Sequence, residues 1–402
     1  MKVGLVTSYP PLGTKFAVGE RAISWYTANL LSALPTDDLD YEVYANKLPG
    51  QPSSYRISDH INIIRCWTPG VLSMVQAAGQ IARSEPDLVH VQHEIFQFGK
   101  GISAVLAPLL FLYLKARRIP AVVTLHAVPP LAKIDRSFMR RYGMHIPPIL
   151  ARIAVWTVMW SIVMLADKFV VHTEDFIQVL AKEYRLSRYV QKMTVIPLGI
   201  EVKDDKVDSK EAKMRLGLHA KRVILFFGYL TGYKGLELLI DSMGPLERTQ
   251  HNLALIIAGD DTPGLRTAGK QSYSGRLKQR AQAVSSNIHF TGFVEENDVA
   301  LYFAAADLVV LPYTVGLSSS ASLAAAVAYE RPCIASTALA STFGLDAALF
   351  EPTVRSLVEK IGQFLGDDDL RRKIMDYELK LRAERSWPRV GEQTGKLYAD
   401  CL

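Results

Sequence analysis

The segment Arg222-Val-Ile-Leu-Phe-Phe-Gly-Tyr-Leu-Thr-Gly-Tyr-Lys-Gly235 joins an apolar run to a turn that contains glycines, and an amphipathic stretch follows it. A short apolar run bounded by glycine is typical of a buried strand, and the stretch after Gly235 has helical spacing. The same order of strand, turn and helix recurs along most of the chain. This alternation predicts parallel sheets covered by helices, which is the α/β class.

The pattern assigns every predicted element a range. In the first half, strands are predicted at Lys2–Ser8, Tyr41–Asn46, Ile61–Cys66, Leu88–Gln92, Ala121–Leu125, Lys168–His172 and Thr194–Pro197. Helices are predicted at Arg21–Leu34, Leu72–Arg83, Ile102–Ala116, Ile149–Ala166 and Asp175–Tyr184. In the second half, strands are predicted at Arg222–Phe227, Leu253–Ala258, Ile288–Thr291, Leu308–Leu311 and Cys333–Ala335, and helices at Gly235–Met243, Gly275–Val284, Asn297–Ala306 and Ser319–Tyr329. Thr353–Leu402 is predicted to be helical with a break at Trp387-Pro388.

A polar segment, Glu201–Glu211, follows Ile196-Pro-Leu-Gly199 and is predicted to be a linker. We therefore expect two Rossmann-like, doubly wound domains, residues 1–199 and 200–382, that face a central cleft. Ligands bind outside the carboxyl ends of the strands in such sheets, so these ends locate the expected site.

Composition excludes several classes of protein. The 402 residues carry a formal charge of +6 and three scattered cysteines, which argues against a disulfide framework and against a cysteine-ligated zinc site. The N-terminus lacks the features of a signal peptide. The charge-free stretches Gly101–Leu114 and Ile153–Ala166 are shorter than the roughly 18 residues that a membrane span needs. We expect a cytoplasmic protein, soluble or peripheral at the inner face of the cell membrane.

Histidines follow the ends of three predicted strands. His93, His126 and His172 lie at or just after these ends, with Glu94 close by. A single histidine there is usually structural, but three at one edge favour the polar floor of a cleft. A zinc site formed by His90 and His93 is disfavoured, because residues three apart on a strand face opposite sides.

Three turns have the features of anion or sugar sites. Gly13 and Gly19 precede the first helix, and glycine lets backbone N–H groups approach a ligand. Lys234 lies at a helix start, where a cation opposes the helix dipole unless an anion such as a diphosphate binds there. A solvated lysine is the alternative. The hydroxyls of Ser318, Ser319 and Ser320 precede an alanine-rich helix and form a second candidate cradle, or an ordinary N-cap.

Together these motifs resemble the GT-B fold, retaining glycosyltransferases of family 4, the group 1 type, over nearly the whole chain. The resemblance rests on Tyr9-Pro-Pro, Gly19, Val89-His-Val-Gln-His-Glu94, Thr124-Leu-His126, Val170-Val-His-Thr-Glu174, Val195-Ile-Pro-Leu-Gly199, Phe227-Gly-Tyr-Leu-Thr-Gly-Tyr-Lys-Gly235, Ile257-Ala-Gly259, Ile288-His-Phe-Thr-Gly-Phe293, Ala306-Asp-Leu-Val-Val-Leu-Pro-Tyr313 and Arg331-Pro-Cys-Ile-Ala335. Residues 383–402, around Ser386-Trp-Pro and Tyr398, resemble the C-terminal helix that crosses back to the first domain in this fold.

The resemblance implies transfer of a hexose, with mannose slightly favoured and glucose as the alternative, from a GDP- or UDP-sugar with retention. It implies no metal or other cofactor, because side chains and helix ends neutralise the leaving diphosphate. His126 and Lys234 would be the catalytic residues, and Lys234 would hold the diphosphate. The other implied donor-binding positions are Gly19, Tyr229, Phe293, Val294, Gly316, Ser318, Ser319 and Ser320.

The sequence departs from the family pattern at three positions. Tyr229 stands where an arginine is common, and Leu317 and Ala325 stand where two glutamates commonly flank seven residues. A subset of the family has a serine-rich stretch at that place, which this chain resembles.

Positive charge is concentrated in one part of the first domain. From Lys100 to Arg152 the chain has nine basic residues and one acidic residue, Asp135. Basic residues beside apolar stretches attract anionic lipid head groups, whereas the apolar runs fit a nucleic-acid groove poorly. The sequence therefore predicts a membrane patch and a lipid or lipid-linked glycan as acceptor, and no nucleic-acid partner. The patch consists of Lys115, Arg117, Arg118, Arg136, Arg140 and Arg141.

Two further functions remain open. The missing carboxylates at Leu317 and Ala325 suit a non-catalytic partner subunit that binds a nucleotide sugar on the same scaffold. Another GT-B enzyme, such as a sugar nucleotide epimerase, is the third alternative, and its reaction would not depend on an acceptor.

Overall fold

A computed structural model describes residues 1–13, 22–141, 146–203, 207–219, 221–261, 272–316 and 319–401, although not the side chains of Ser137, Arg140 and Arg141. The chain forms two compact units. The first combines Met1–Gly199, Leu317–Ser319 and Trp387–Leu402, and the second combines Ile200–Gly316 with Ser320–Ser386. The predicted donor residues Gly19 and Ser318, and the departing Leu317, lie outside the described residues.

The first unit contains an eight-stranded sheet in the order β3-β4-β2-β1-β5-β6-β7-β8 within the described residues. Its strands are β1 (Lys2–Thr7), β2 (Asp40–Asn46), β3 (Ser54–Ser58), β4 (Ile61–Trp67), β5 (Leu88–His93), β6 (Ala121–Leu125), β7 (Lys168–Val171) and β8 (Met193–Val195). All neighbours pair in parallel except β3 with β4. The order steps outwards from β1 in both directions, which is doubly wound topology.

The second unit contains a six-stranded parallel sheet in the order β11-β10-β9-β12-β13-β14, again within the described residues. Its strands are β9 (Arg222–Phe227), β10 (Leu253–Ala258), β11 (Ile288–Gly292), β12 (Leu308–Leu311), β13 (Cys333–Ser336) and β14 (Leu349–Phe350). The predicted α/β class with two Rossmann-like sheets is confirmed.

Helices connect these strands. They are α1 (Ala22–Ala33), α2 (Ser73–Ser84), α3 (Ile102–Val105), α4 (Pro108–Arg117), α5 (Arg136–Arg141), α6 (Pro148–Leu165), α7 (Glu174–Lys182), α8 (Ser209–Arg215), α9 (Leu236–Thr249), α10 (Tyr273–Val284), α11 (Glu296–Ala305), α12 (Ala321–Ala328), α13 (Ala340–Phe343), α14 (Val354–Gly366), α15 (Asp368–Glu384) and α16 (Trp387–Ala399). Short 3₁₀ turns occupy Leu131–Lys133, Ser187–Lys192, Gly232–Lys234, Thr337–Leu339 and Asp346–Ala348.

Some predicted elements differ from the structure. The single helix predicted at Ile102–Ala116 is wrong: α3 ends at Val105 and α4 begins at Pro108, because proline lacks an N–H group and its ring clashes with the preceding turn. The predicted end of α9 at Met243 is also wrong. That helix continues through Pro245 to Thr249 and buries Leu246. Strands β3 and β14 were not predicted.

Two clusters of apolar side chains cover the two faces of the first sheet. On one face, Val91 and Val123 pack with α4 and α6 residues such as Leu110 and Ile162. On the other face, Leu5 and Val43 and their neighbours pack with residues of α1 and α16, which lie against each other. The end of the chain therefore completes the core of the first unit.

A buried carboxyl group supports β13 in the second unit. Glu378 of α15 is 3% exposed, and its Oε1 accepts a hydrogen bond of 2.8 Å from the Cys333 backbone N–H. Burial raises the pKa of Glu378 well above its ordinary value. The protonated Glu378 therefore stabilises the folded state at acid pH, and this stabilisation is lost as the pH rises through the raised pKa.

We expect Glu378→Gln to gain stability relative to the wild type as the pH rises from 5 to 8. The amide oxygen still accepts the Cys333 hydrogen bond but never ionises. Urea unfolding at both pH values measures the effect, and Glu384→Gln at an exposed position of the same helix is the control. A pH-independent difference between Glu378→Gln and the wild type would show that the buried carboxyl does not titrate in this range.

Candidate functional site

The segment after β9 places a lysine against the sheet in the second unit. Gly228 leaves the strand with a positive φ of 126°, and the 3₁₀ turn Gly232–Lys234 leads into α9. Gly235 has a φ of 68°, and a Cβ at this position would overlap the Pro312 carbonyl. A Cβ on Gly228 would lie only 2.9 Å from Lys234 Nζ. Glycine at both positions therefore lets the lysine lie flat against the backbone at the end of β9.

Lys234 is buried, and among the described residues it has no charged partner. The residue is only 8% exposed, and its Nζ lies 5.6 Å from the Phe226 ring centroid and 5.8 Å from the Tyr313 ring centroid. Burial lowers the pKa of Lys234. No hydrogen bond or ion pair joins its ammonium group to another described residue. Because an isolated buried charge is costly, this arrangement favours an anion supplied by a ligand.

Hydroxyl groups lie beside the lysine. The Tyr313 hydroxyl is 3.2 Å from Ser320 Oγ and 3.3 Å from Ser322 Oγ, and Ser320 Oγ accepts a hydrogen bond from the Leu323 N–H as the N-cap of α12. A Cβ on Gly228 would lie 2.8 Å from Ser322 Oγ, so this hydroxyl and Lys234 contact the same glycine. The end of β9, the end of β12 and the start of α12 thus form one polar site.

Among the other predicted donor residues that the structure describes, Tyr229, Phe293, Val294 and Gly316 belong to the same unit, whereas Ser319 groups with the first unit. Tyr229 and Phe293, both half-buried, have ring centroids 6.4 Å apart, and Val294 is buried. Gly316 is exposed, and Ser319 directly precedes Ser320. Ala325, where the family commonly has a glutamate, lies half-buried on α12. The structure therefore brings Lys234 together with Ser320 and adds Ser322 and Tyr313, which the sequence did not single out as site residues.

In the first unit, polar side chains form a buried network at the ends of β5, β6 and β7. His126 Nε2 is 2.7 Å from Gln92 Oε1, and His126 Nδ1 is 3.3 Å from His172 Nε2. His172 Nδ1 donates to the Ile196 carbonyl at 3.0 Å. The Tyr26 ring of α1 packs edge-on against His126 with the centroids 4.7 Å apart. Two of the three predicted histidines therefore share one network.

The network continues to the end of the chain. His90 lies 2.8 Å from Thr124 Oγ1 through Nε2 and 2.6 Å from the Tyr398 hydroxyl through Nδ1. His90 and Gln92 are two residues apart on β5 and therefore face the same side. Strand alternation places the side chain of His93 on the opposite face, and its Nδ1 is buried with no hydrogen-bond partner among the described residues. Glu94 follows, half-buried.

Burial keeps these imidazoles neutral. It lowers the pKa of His90 to about 3 and those of His93 and His172 to about 4. The pKa of His126 is lowered well below its ordinary value by burial and by the neighbouring His172. A neutral His126 brings no charge to the site, and its two ring nitrogens face Gln92 and His172. Gln92, Tyr26 and Tyr398 were missed by the sequence reasoning, although the alternation of His90 and Gln92 is a usable signal.

We expect Gln92→Glu to convert His126 into an imidazolium. A carboxylate 2.7 Å from Nε2 favours the protonated ring. By NMR between pH 5 and 8, the His126 ring of the wild type should show no titration, whereas that of the variant should titrate or remain charged. Gln80→Glu, on the surface helix α2, is the control and should leave His126 unchanged. A His126 signal that stays neutral in Gln92→Glu would show that the two side chains are not bonded.

The described side chains of the predicted membrane patch lie at two different edges of the first sheet. Lys115 Nζ lies 3.5 Å from Asp167 Oδ1, whose Oδ2 accepts a hydrogen bond from the N–H of Ala121 at the start of β6. Lys115, Arg117 and Arg118 are exposed and lie at the amino edge of the sheet with the end of α4. Arg136 is exposed on α5, which follows the carboxyl end of β6. The side chains of Arg140 and Arg141 lie outside the described part of the chain.

Family models match both units. Residues 23–204 match "Glycosyltransferase Family 4", and residues 221–367 match "Glycosyl transferases group 1". Within the described residues, no group of three His, Cys, Asp or Glu side chains is placed to hold a metal ion.

Similar proteins and solved structures agree with these family matches. The chain is 22% identical to an alpha-D-kanosaminyltransferase of Streptomyces kanamyceticus over 89% of each chain. It is 26% identical to a GDP-mannose:glycolipid 4-beta-D-mannosyltransferase of Xanthomonas campestris over 48% of this chain and 52% of that one. Sucrose-phosphate synthase from Thermosynechococcus elongatus has a TM-score of 0.72 at 19% identity, with 100% and 98% of the chains covered. Anabaena HepE in complex with UDP-glucose has a TM-score of 0.68 at 17% identity and covers 100% of both chains.

Proposed function

Because this chain belongs to the family 4, group 1 glycosyltransferases of the GT-B fold, we propose that it transfers a hexose from a nucleotide diphosphate sugar with retention at the anomeric carbon. The observation that carries the proposal is Lys234, a buried cation with no described anionic partner beside the hydroxyls of Ser320 and Ser322. A diphosphate supplies the missing charge, and the hydroxyls can accept or donate hydrogen bonds to phosphate or sugar oxygens.

In this mechanism, the second unit stabilises the leaving group. Negative charge develops on the diphosphate as the bond to the anomeric carbon breaks, and Lys234 lies ready in a poorly hydrated site where its charge acts strongly. The start of α12 adds its positive dipole end. The departing phosphate oxygen takes the proton from the acceptor hydroxyl, so a strong general base is not needed. The neutral His126 contacts the donor sugar near the reacting centre.

The donor is proposed to be a GDP- or UDP-hexose, with mannose slightly favoured and glucose as the alternative. The Xanthomonas relative uses GDP-mannose by its name, and HepE was solved with UDP-glucose, so both bases occur among similar proteins. The tilted ring pair Tyr229 and Phe293 offers an apolar border for either base. No metal is required in this proposal, since Lys234 and helix ends neutralise the diphosphate.

The acceptor is proposed to be a lipid or a lipid-linked glycan, reached from the cytoplasm at the inner face of the membrane. A relative that acts on a glycolipid by its name supports this assignment, as do the exposed cations of the first unit.

A ligand screen by thermal shift tests the function. GDP, UDP and their mannose and glucose conjugates should include at least one that raises the melting temperature, since a ligand that binds the native state stabilises it by mass action. That nucleotide sugar should then transfer its hexose to a lipid extract. Failure of all of them to bind would contradict the proposal.

A non-catalytic partner subunit is the second candidate. Ala325 on α12, where the family commonly has a carboxylate, favours it. Such a subunit would bind a nucleotide sugar but neither hydrolyse nor transfer it, so any turnover with purified protein excludes this alternative. A sugar nucleotide epimerase would release product without an acceptor.

A further inference from the structure

Three neighbouring helices of the first unit, and the segment just before the third, expose large apolar side chains. On α6, Ile149 is 58% exposed, Leu150 is 52% exposed and Ile153 is 54% exposed. The other exposed apolar residues of this surface are Ile102, Val105, Leu109, Leu112 and Ile146. Helices α3 and α4 both pack against α6, so these side chains belong to neighbouring elements. We call this set of eight residues the α6 surface.

The α6 side chains are exposed because α6 is longer than the strand that follows it, β7. By length and composition α6 could cross a membrane, a test that core helices of soluble proteins also pass, yet only 28% of it is buried. Its 18 residues rise about 27 Å, whereas the four residues of β7 span only about 13 Å. The C-terminal end of α6 leads into the start of β7, so its N-terminal half extends past the carboxyl edge of the sheet.

Cations border this half of α6. Arg152 Nε donates to the Ile134 carbonyl at 3.0 Å, and Ile134 packs with Ala151. The segment that holds Ile134 also carries Lys133 and Arg136, both exposed. Buried Ile134 thus joins the segment of Lys133 and Arg136 to the N-terminal half of α6, the half that exposes Ile149 and Ile153. Cations near exposed aliphatic side chains are the combination that binds an interface of anionic lipid.

The geometry points to the α6 surface, with Lys133, Arg136 and Arg152, as a docking site for a bilayer that contains anionic lipid. The aliphatic side chains enter the boundary of the acyl chains, and the cations contact the head groups. Lys115, Arg117 and Arg118, at the opposite end of α4, take no part. The docking itself does not depend on the proposed function. Its purpose does: docking would bring a lipid acceptor to the carboxyl ends of β5 and β6, which deepens the proposed function.

Flotation with vesicles tests the docking site. Full-length protein is mixed with phosphatidylcholine vesicles, either pure or with about a third phosphatidylglycerol, at low and moderate salt. We expect recovery with the anionic vesicles only. Ile149→Ser with Ile153→Ser, and separately Lys133→Glu with Arg136→Glu, should each weaken binding about tenfold or more.

Arg117→Glu with Arg118→Glu is the matched control, since it reverses the same amount of charge at exposed positions away from the α6 surface. It should bind as the wild type does. Equal loss in this control, equal binding to neutral vesicles, or unchanged binding of the Ile149→Ser, Ile153→Ser protein would overturn the proposal. A wild-type dimer that the isoleucine substitutions dissociate, without vesicle binding, would assign the surface to a second copy instead.

The assay separates the docking site from the proposed function. No donor is present during flotation, and all six substituted residues are exposed, so the variants should retain the wild-type melting temperature and its rise with nucleotide. Nucleotide binding without vesicle binding refutes only the docking site. Vesicle binding without any nucleotide binding refutes only the proposed transfer.

Discussion

Lys234→Met should lower turnover by about 10²–10³-fold, the range seen when one preorganised group that stabilises developing negative charge is removed. The rise in melting temperature caused by a nucleotide should also disappear. Methionine fills a similar volume among Phe226 and Tyr313 but cannot pair with a diphosphate. Steady-state kinetics and thermal shift measure both effects.

The same variant should not lose stability in the absence of nucleotide. Burial lowers the pKa of Lys234, so the folded ammonium costs stability at neutral pH, and this cost fades as the pH rises towards the ordinary range of lysine. Lys234→Met should therefore be as stable as the wild type or more stable at pH 7. Lys360→Met on α14, whose lysine donates to the Ala347 carbonyl at 3.0 Å, is the control and should retain activity. Normal turnover in Lys234→Met would remove the diphosphate role.

Trp387→Ala should destabilise the first unit by about 3–5 kcal/mol, the usual cost of deleting a buried tryptophan side chain. The indole of Trp387 is 5% exposed and packs edge-on against Trp25 and Tyr26 at 5.7 and 5.3 Å between ring centroids. It also lies on Gly199, where a Cβ would overlap the ring. Denaturant unfolding followed by circular dichroism measures the loss.

Activity should fall with stability in Trp387→Ala, because Tyr26 contacts both Trp387 and His126. Arg389→Ala, at an exposed position of α16, is the matched control and should change neither quantity. A loss below about 1 kcal/mol, at the level of an ordinary surface substitution, would mean that α16 is not needed by the core of the first unit.

The strands were the most predictable part of the fold. β6, β9, β10 and β12 have their predicted bounds, because strands buried on both faces are continuous apolar runs between polar turns. The missed strand β3 has an almost wholly exposed sequence at the edge of the sheet, which gives no such pattern.

Only those site residues whose role follows from their immediate sequence neighbours could be predicted. Lys234 stands out because its place at a helix start is unfavourable without a ligand. The contact between His90 and Tyr398 joins residues 308 positions apart, and no local pattern indicates it. Charge was similarly ambiguous. The cations of residues 100–152 are neighbours in the sequence. In the structure, those after α4 lie at the amino edge of the sheet, whereas those before α6 lie at its carboxyl edge.

The return of the chain to the first unit at Trp387 has a consequence for biosynthesis. Residues 1–199 leave the ribosome long before α16 has been synthesised. Helix α16 then adds Trp387, Val390 and Tyr398 to the core of the first unit. At about 5–20 residues per second, the first unit waits roughly 10–40 s for these residues. During that interval the face that α16 will cover is open to chaperones and proteases. A nascent chain that stops before Trp387 is therefore recognisable as incomplete, although its first unit is almost fully synthesised.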